Sequence, residues 1–261
     1  MPNNPFFSIV TICYNSEKSI AKTIKSVKRQ EFKDFEYIIV DGKSTDNTLS
    51  IIKEQTLGIN NLHIISEKDN GIYDAMNKGI KMSSGKMIVL LNSDDWLEEN
   101  ALKNIHDLYE DDNTIITGAL NFWYNKEKYT KYGTSIERFQ KMKKKYLSPM
   151  RHPATIVPLS VYQKIGLFDT KFKIIGDTDF IYRCIENNIN IKFTNQILSN
   201  MSDGGVSNSF RSSYKRSKER IYFLQKRNLS KLYIFINSLY YLSLLLIKEI
   251  IPTSILIKRN Q

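Results

Sequence analysis

The sequence predicts an α/β protein built on a mostly parallel sheet with helices on both faces, followed by basic, amphipathic C-terminal helices. Three observations carry that prediction. The first 120 residues alternate short β-branched apolar runs with stretches of helical spacing, the pattern of repeated βαβ units. Met87, Ile88, Val89, Leu90 and Leu91 leave no polar face, as expected of a strand covered on both sides. From residue 211 onward charge and hydropathy change together, which sets a tail apart from the domain before it. At 261 residues the chain can bury an ample core, and its 41% hydrophobic and 25% charged content is ordinary for a globular protein.

Residues 6–13 are apolar and β-branched and form the first predicted strand; residues 17–29 follow as a helix through Ile20, Ile24 and Val27. Strands at 35–40 and 62–66 flank a helix at 45–53 that turns Thr48, Ile51 and Ile52 inward. A helix at 72–82 carries Ala75, Met76 and Ile80 on one face and leads to the fourth strand at 86–91. Leu102, Ile105 and Leu108 give a helix over 97–109, and 115–117 makes a fifth strand. Regularity then fails. Residues 121–132 are aromatic and charged with a turn near Asn125, as in a hairpin, and 136–145 form a strongly basic helix or loop. Strand character returns at 153–157 and helix at 178–187. This second half, about 121–210, is placed to cover the carboxyl edge of the sheet, where open α/β sheets take their ligands.

From Arg211 on, eleven Lys and Arg stand against two Glu, so nine of the chain's eleven net positive charges lie in the tail. Residues 214–227 read as a basic helix, and 232–247 are sixteen residues without a charge. Crossing a bilayer takes about 20 consecutive apolar residues. An in-plane helix fits better, with Tyr233, Tyr240 and Tyr241 at headgroup level and basic flanks on anionic lipid. Packing on the domain core is the other fate open to it. Basicity joined to an apolar helix, with no reader motif, points away from nucleic acid. Cys13, Cys184, His63, His106 and His152 make no metal-ligand spacing. No glycine-rich phosphate loop follows the first strand, which reads Cys13-Tyr14-Asn15-Ser16-Glu17. The first residues lack the charge and apolar length of a secretion signal, so a reducing, cytoplasmic setting is expected.

Chemistry concentrates where the fourth strand runs into Asn92-Ser93-Asp94-Asp95-Trp96. Adjacent carboxylates at a ligand-binding edge repel each other and resist desolvation unless a cation joins them. A divalent metal carrying a phosphorylated ligand supplies one. The alternative is Asp95 as a helix N-cap with Glu98 at N3, which leaves Asp94 solvated. Tyr14 and Asn15, just past strand one, suit stacking on a base or a lid over the core. Asp41, ending strand two, suits the N3–H of uracil or an Asx-turn. Asp46 and Thr48 are placed to cap the next helix, and Asp74 and Asn77 share one helical face.

Several segments resemble the GT-A-fold, Rossmann-like family 2 glycosyltransferases, inverting enzymes of bacterial polysaccharide assembly. Ser8-Ile9-Val10-Thr11-Ile12-Cys13-Tyr14-Asn15 resembles their first strand and nucleoside loop, and Asp41-Gly42-Lys43-Ser44-Thr45-Asp46 the turn after strand two. Asn70 to Gly79 is similar to a segment of an O-antigen and colanic-acid subgroup. Asn92-Ser93-Asp94-Asp95 stands in place of the Asp-x-Asp metal motif, with His152-Pro153-Ala154, Gly166-Leu167-Phe168-Asp169 and Gly176-Asp177-Thr178-Asp179-Phe180 following in family order. The resemblance spans about residues 6–210. It implies a nucleotide-sugar half over 1–120, an acceptor half over 121–210, and a membrane-associating tail over 211–261.

The resemblance further implies that Ile12, Tyr14, Asn15, Asp41, Asp74, Asn77, Asn92 and Ser93 contact the donor and that Asp94 binds Mn²⁺ or Mg²⁺. Asp177 is the implied general base, with N-capping as its bland alternative; His152, Asp179 and Lys78 line the acceptor or diphosphate pocket, Asp179 pointing away to hold the loop. Asn92 replaces the first Asp of the metal motif, and Met76 stands where many relatives have a diphosphate-binding Arg, so Lys78 or the tail takes over that contact. Gly204-Gly205-Val206-Ser207 resembles a segment that closes over the donor. The implied reaction moves a hexose or N-acetylhexosamine from a UDP-sugar to a lipid-linked glycan of O-antigen or capsule type, on the inner face of the plasma membrane. A catalytically weak module that binds nucleotide-sugar or glycan at the membrane is the competing reading.

Overall fold

Alternation along β1 (Phe7–Cys13) decides which helices cover which face of the sheet. The computed structural model describes residues 4–124, 127–131, 136–148, 150–202 and 210–250. Successive side chains of a strand point to opposite faces, so Phe7, Ile9 and Cys13 join one core and Val10 and Ile12 the other. β2 (Phe35–Asp41) and β4 (Met87–Asn92) flank β1 in parallel, and β3 (Leu62–Ser66) lies outside β2. The first core takes α1 (Ile20–Lys28), α2 (Thr48–Gln55) and α4 (Ala101–Leu108) through Ile20, Ile24, Ile52 and Ile105. The second takes α3 (Ile72–Met82), α6 (Leu159–Ile165) and α7 (Gly176–Glu186) through Met76, Ile80, Val161 and Phe180. The predicted α/β class, with helices on both faces, is the class observed.

Beyond β4 the sheet continues through β8 (Thr155–Pro158), β6 (Thr114–Tyr124), β9 (Asn190–Ser202) and β5 (Trp96–Leu97), with β7 (Glu127–Lys131) hairpinned onto β6. β8 runs antiparallel to both neighbours, and β9 runs parallel to β6. β5 follows β4 after only residues 93–95, yet it lies at the far end of the strand order. The sheet therefore curls until β5 touches β4 again, and residues 93–95 bridge the closure.

Three differences from the sequence expectation have plain causes. The helix expected from residue 97 begins at Ala101, because Trp96 and Leu97 pair with Asn200 and Ser199 of β9. The short fifth strand and the first hairpin arm are one strand, β6, whose residues 114–122 are buried throughout and so show no alternation. β9, which carries polar residues along much of its length, had no apolar signature at all. The basic segment after β7 is a helix, α5 (Ile136–Lys144).

The tail forms α8 (Phe210–Gln225) and α9 (Lys231–Ile250). Arg220 of α8 is buried and donates from Nε and Nη2 to Asn237 Oδ1 of α9 at 3.0 and 2.6 Å. The same guanidinium donates to the carbonyls of Tyr146 and Lys145, which docks α9 on the domain. The other side of α9 exposes Leu232, Phe235, Leu239 and Leu242, while Tyr240, on the docked side, lies under Lys145. Among the described residues no helix is long and apolar enough to cross a membrane. Of the two fates considered for this helix, packing on the domain is observed for one face, and the other exposes apolar side chains.

Candidate active site

Three loops at the carboxyl edge, after β1, β2 and β4, are knitted into one surface. Asn15 adopts a left-handed backbone, φ 47°, which asparagine tolerates. That turn brings its N–H onto Ser44 Oγ at 2.8 Å and its side-chain carbonyl under Thr45 N–H at 2.9 Å. Asp41 is fully buried and accepts from Ser44 N–H, Ser44 Oγ–H and Ser66 Oγ–H at 3.0, 2.5 and 2.6 Å. Ile12 is buried and its carbonyl accepts the N–H of Ser93 at 3.1 Å. The hydroxyls of Ser16 and Ser93 meet at 2.7 Å, and Thr23 of α1 directs its own at the carbonyls of Ser93 and Asp95. Tyr14 stands above these loops with 61% of its surface exposed.

The carboxylates after β4 are not equivalent. Asp95 is buried and takes Asn92 Nδ2 at 3.0 Å. It does not cap α4, which starts at Ala101 after Asn100; the N-cap alternative is corrected accordingly. Burial holds the Asp94 carboxyl above its ordinary range. Asp95 is pushed well above it by burial and then by the charge of Asp94, against the hydrogen bond from Asn92. Asn92 Oδ1 is buried without a hydrogen-bond partner among the described residues. A hard, orphaned oxygen beside a carboxylate that resists ionisation fits a divalent cation. Among the described residues no group of three or more His, Cys, Asp or Glu could hold a metal, so a cation here would need further oxygens from phosphate and water.

A second cluster forms where α7 begins. Asp177 Oδ1 accepts the N–H of Thr178 at 2.7 Å and the hydroxyl of Tyr73, from the first turn of α3, at 3.3 Å. Tyr73 also donates to the carbonyl of Ile174 at 2.9 Å, and Gly176 lets its ring approach: a Cβ there would lie 2.7 Å from Cε2. Asp177 and His152 line one cavity of about 20 Å³, walled by Tyr162, Phe168 and Phe180, with room for about one water. His152 Nε2 is buried and unpartnered among the described residues. Burial lowers its pKa, partly offset by the charge of Asp177, which favours the neutral ring. The antiparallel register of Ile88 with Val157 carries the turn at His152–Ala154 back to the level of Asn92. The Asp94 loop and the Asp177 cavity therefore share one edge of the sheet.

Several implied site residues are engaged by other parts of the chain. Asn77 is buried and spends its amide on Phe168, donating to the carbonyl at 2.9 Å and accepting the N–H at 3.0 Å; it holds the 166–169 loop instead of a donor. Lys78 pairs with Glu67 at 2.8 Å and the Lys68 carbonyl at 2.8 Å, while its neighbour Asp74 accepts the N–H of Asn70 at 2.9 Å. Asp179 is corrected from pocket wall to anchor: it is fully buried among Arg183, Arg227 and Lys226 at 3.0, 3.3 and 3.5 Å. Met76 is buried against the sheet. The segment 204–207 lies outside the described residues.

Sequence reading missed three residues. Tyr73 orients Asp177. Asp69 lies against Gly42, where any Cβ would strike its carboxylate. Arg151 carries a buried Nε with no partner among the described residues, and burial together with Arg138 lowers its pKa.

The Glycosyl transferase family 2 model matches residues 8–166. A PGL/p-HBAD biosynthesis glycosyltransferase of Mycobacterium tuberculosis is 28% identical over 219 residues, covering 78% of this chain and 80% of that protein. Among solved structures, Staphylococcus aureus TarS 1-349 in complex with UDP-GlcNAc aligns at a TM-score of 0.65 and 19% identity, over 90% of this chain and 71% of that one. The chain spans 42% of a longer TarS chain. The mannosyltransferase PcManGT from Pyrobaculum calidifontis, in complex with GDP-Man and Mn²⁺, aligns at 0.63 and 13% identity over 99% of this chain and 80% of that one. These structural likenesses bear on the fold and agree with a GT-A arrangement. With the family model running from β1 to the turn after α6, over more than half its length, the chain belongs to glycosyl transferase family 2.

Proposed function

We propose that this chain moves a hexose or N-acetylhexosamine from a UDP-sugar to a hydroxyl of a lipid-linked glycan, with inversion, in surface-polysaccharide assembly. One observation carries the reading: Asp94 with the orphaned Asn92 Oδ1, and Asp177 on its cavity, are two separate oxygen sites on one sheet edge. Related folds solved with UDP-GlcNAc and with GDP-Man and Mn²⁺ support a nucleotide-sugar donor. Tyr14, Asn15 and Asp41 frame the base, with Asp74 and Ser93 completing the donor side. Mn²⁺ or Mg²⁺ held by Asp94 and Asn92 Oδ1 would neutralise charge on the leaving nucleotide. Arg151 is our candidate for the cation that Met76 does not supply.

The hydrogen bonds that Asp177 takes among the described residues fall on Oδ1. Its Oδ2 is then the oxygen that accepts the proton of the acceptor hydroxyl as that hydroxyl attacks the anomeric carbon, opposite the leaving nucleotide. Thr178 N–H and Tyr73 hold the carboxylate in place, and neutral His152 hydrogen-bonds the acceptor. Asp177→Asn should lower turnover by about 10²–10⁴ with donor affinity nearly unchanged. Product analysis by NMR decides the mechanism, since a retained anomeric configuration would overturn it.

We further propose that the bare side of α9 rests on an anionic membrane leaflet, where a lipid-linked acceptor presents its sugar. The exposed run Leu232, Phe235, Leu239 and Leu242 supports this, as do the basic residues of the tail.

A further inference from the structure

Both tryptophans of the chain, with five basic side chains, line one groove on the α1 side of the sheet. Its volume is about 600 Å³, within the range of about 300–1,000 Å³ usual for ligand sites. Lys18, Lys22, Lys25 and Arg29 follow one another at steps of four, three and four along α1 and its ends, so they form one stripe. Lys128 of β7 adds a fifth cation. Glu98 and Glu99 are the groove's acidic residues. The Glu98 carboxylate is already taken by the amides of Asn121 and Asn200 at 3.2 and 2.7 Å.

The tryptophans are fixed in relation to this stripe. Trp96 and Trp123 have ring centres 5.8 Å apart, inclined at 45°. Trp123 donates its indole N–H to Asn200 Oδ1 at 2.9 Å. Lys22 holds its ammonium 2.9 Å from the centre of the Trp96 ring and 5.6 Å from that of Trp123. The groove also adjoins the proposed metal loop: Trp96 is two residues from Asp94, and Thr23, next to Lys22, bonds the carbonyls flanking Asp94.

We propose that this groove binds an acidic sugar chain. Indole faces stack on sugar rings, and the α1 cations pair with the acidic substituents. The inference deepens the acceptor side of the proposed function and rests on that reading, since the seated chain leads toward the transfer site. Aromatic faces beside cations also suit single-stranded nucleic acid; the shared wall with the loop of a glycosyltransferase favours the sugar chain.

Because both tryptophans lie in the groove, intrinsic tryptophan fluorescence of the full chain reports on it alone. Titration with oligogalacturonate should change the emission saturably. The affinity should fall with added salt and, because two cations are removed, by about tenfold in the Lys25→Ala, Arg29→Ala double variant. A malto-oligosaccharide of equal length should bind far more weakly. An absent or unsaturable response overturns the proposal, as does an equal response to the neutral chain or tighter binding of oligothymidylate. Calorimetry with UDP separates the two readings. Binding of UDP without oligogalacturonate removes the groove alone, and binding of oligogalacturonate without UDP removes the transferase reading alone.

Discussion

Asp94 and Asn92 offer two hard oxygens, whereas Mg²⁺ takes about six in an octahedral shell. The remaining positions would fall to water and phosphate, so cation and donor should bind together. Mn²⁺ alone is expected to bind weakly by calorimetry and much more tightly with UDP present; Asp94→Ala should erase that gain while the circular dichroism spectrum is unchanged. Asp177 and Asp179, two residues apart, should fail in different ways. Asp179→Asn leaves the Arg183 guanidinium without its buried carboxylate and takes one from Arg227, which keeps Glu186, a class of change that costs about 3–5 kcal/mol. Urea titration should register that loss, whereas Asp177→Asn should lose turnover and keep its unfolding midpoint. The spacing of these two aspartates was plain in the sequence. Which one meets solvent and which one meets three cations was not, because two of those cations, Lys226 and Arg227, arrive from just past α8, some 50 residues downstream.

Elements with a strong period were legible. The ladder β1 to β4 and helices α1, α3 and α7 lie within a few residues of where apolar spacing put them. β5 and β9 were not, because their pairing rests on polar partners such as Asn121, Asn200 and Glu98, whose hydrogen bonds leave no apolar period in the chain. α9 was legible as an apolar helix but not in its orientation, which the Arg220–Asn237 contact decides. That contact shows how to test the membrane reading without uncovering Arg220. Phe235→Glu with Leu239→Glu changes the bare face only, and should abolish sedimentation with phosphatidylglycerol-containing liposomes at physiological salt. Unchanged sedimentation would remove the membrane role and leave α9 as a packing element.

At the scale of the molecule, the sequence disclosed the parallel strands but not the closure of the sheet. The parallel half could be drawn from periodicity; the curl that returns β5 to β4 depends on Trp96 meeting Asn200 and Leu97 meeting Ser199. Contacts so distant along a chain carry a large loop-closure cost and form late. The order of folding follows. β1, β2 and β4 can pair while the second half is still being synthesised, but the loop bearing Asp94 gains its far wall only when the chain through Ser202 has arrived. The enzyme should therefore be folded before it is competent. Pulse-labelled hydrogen exchange during refolding should protect amides of β1, β2 and β4 ahead of those in β5 and β9, with UDP binding returning on the later clock.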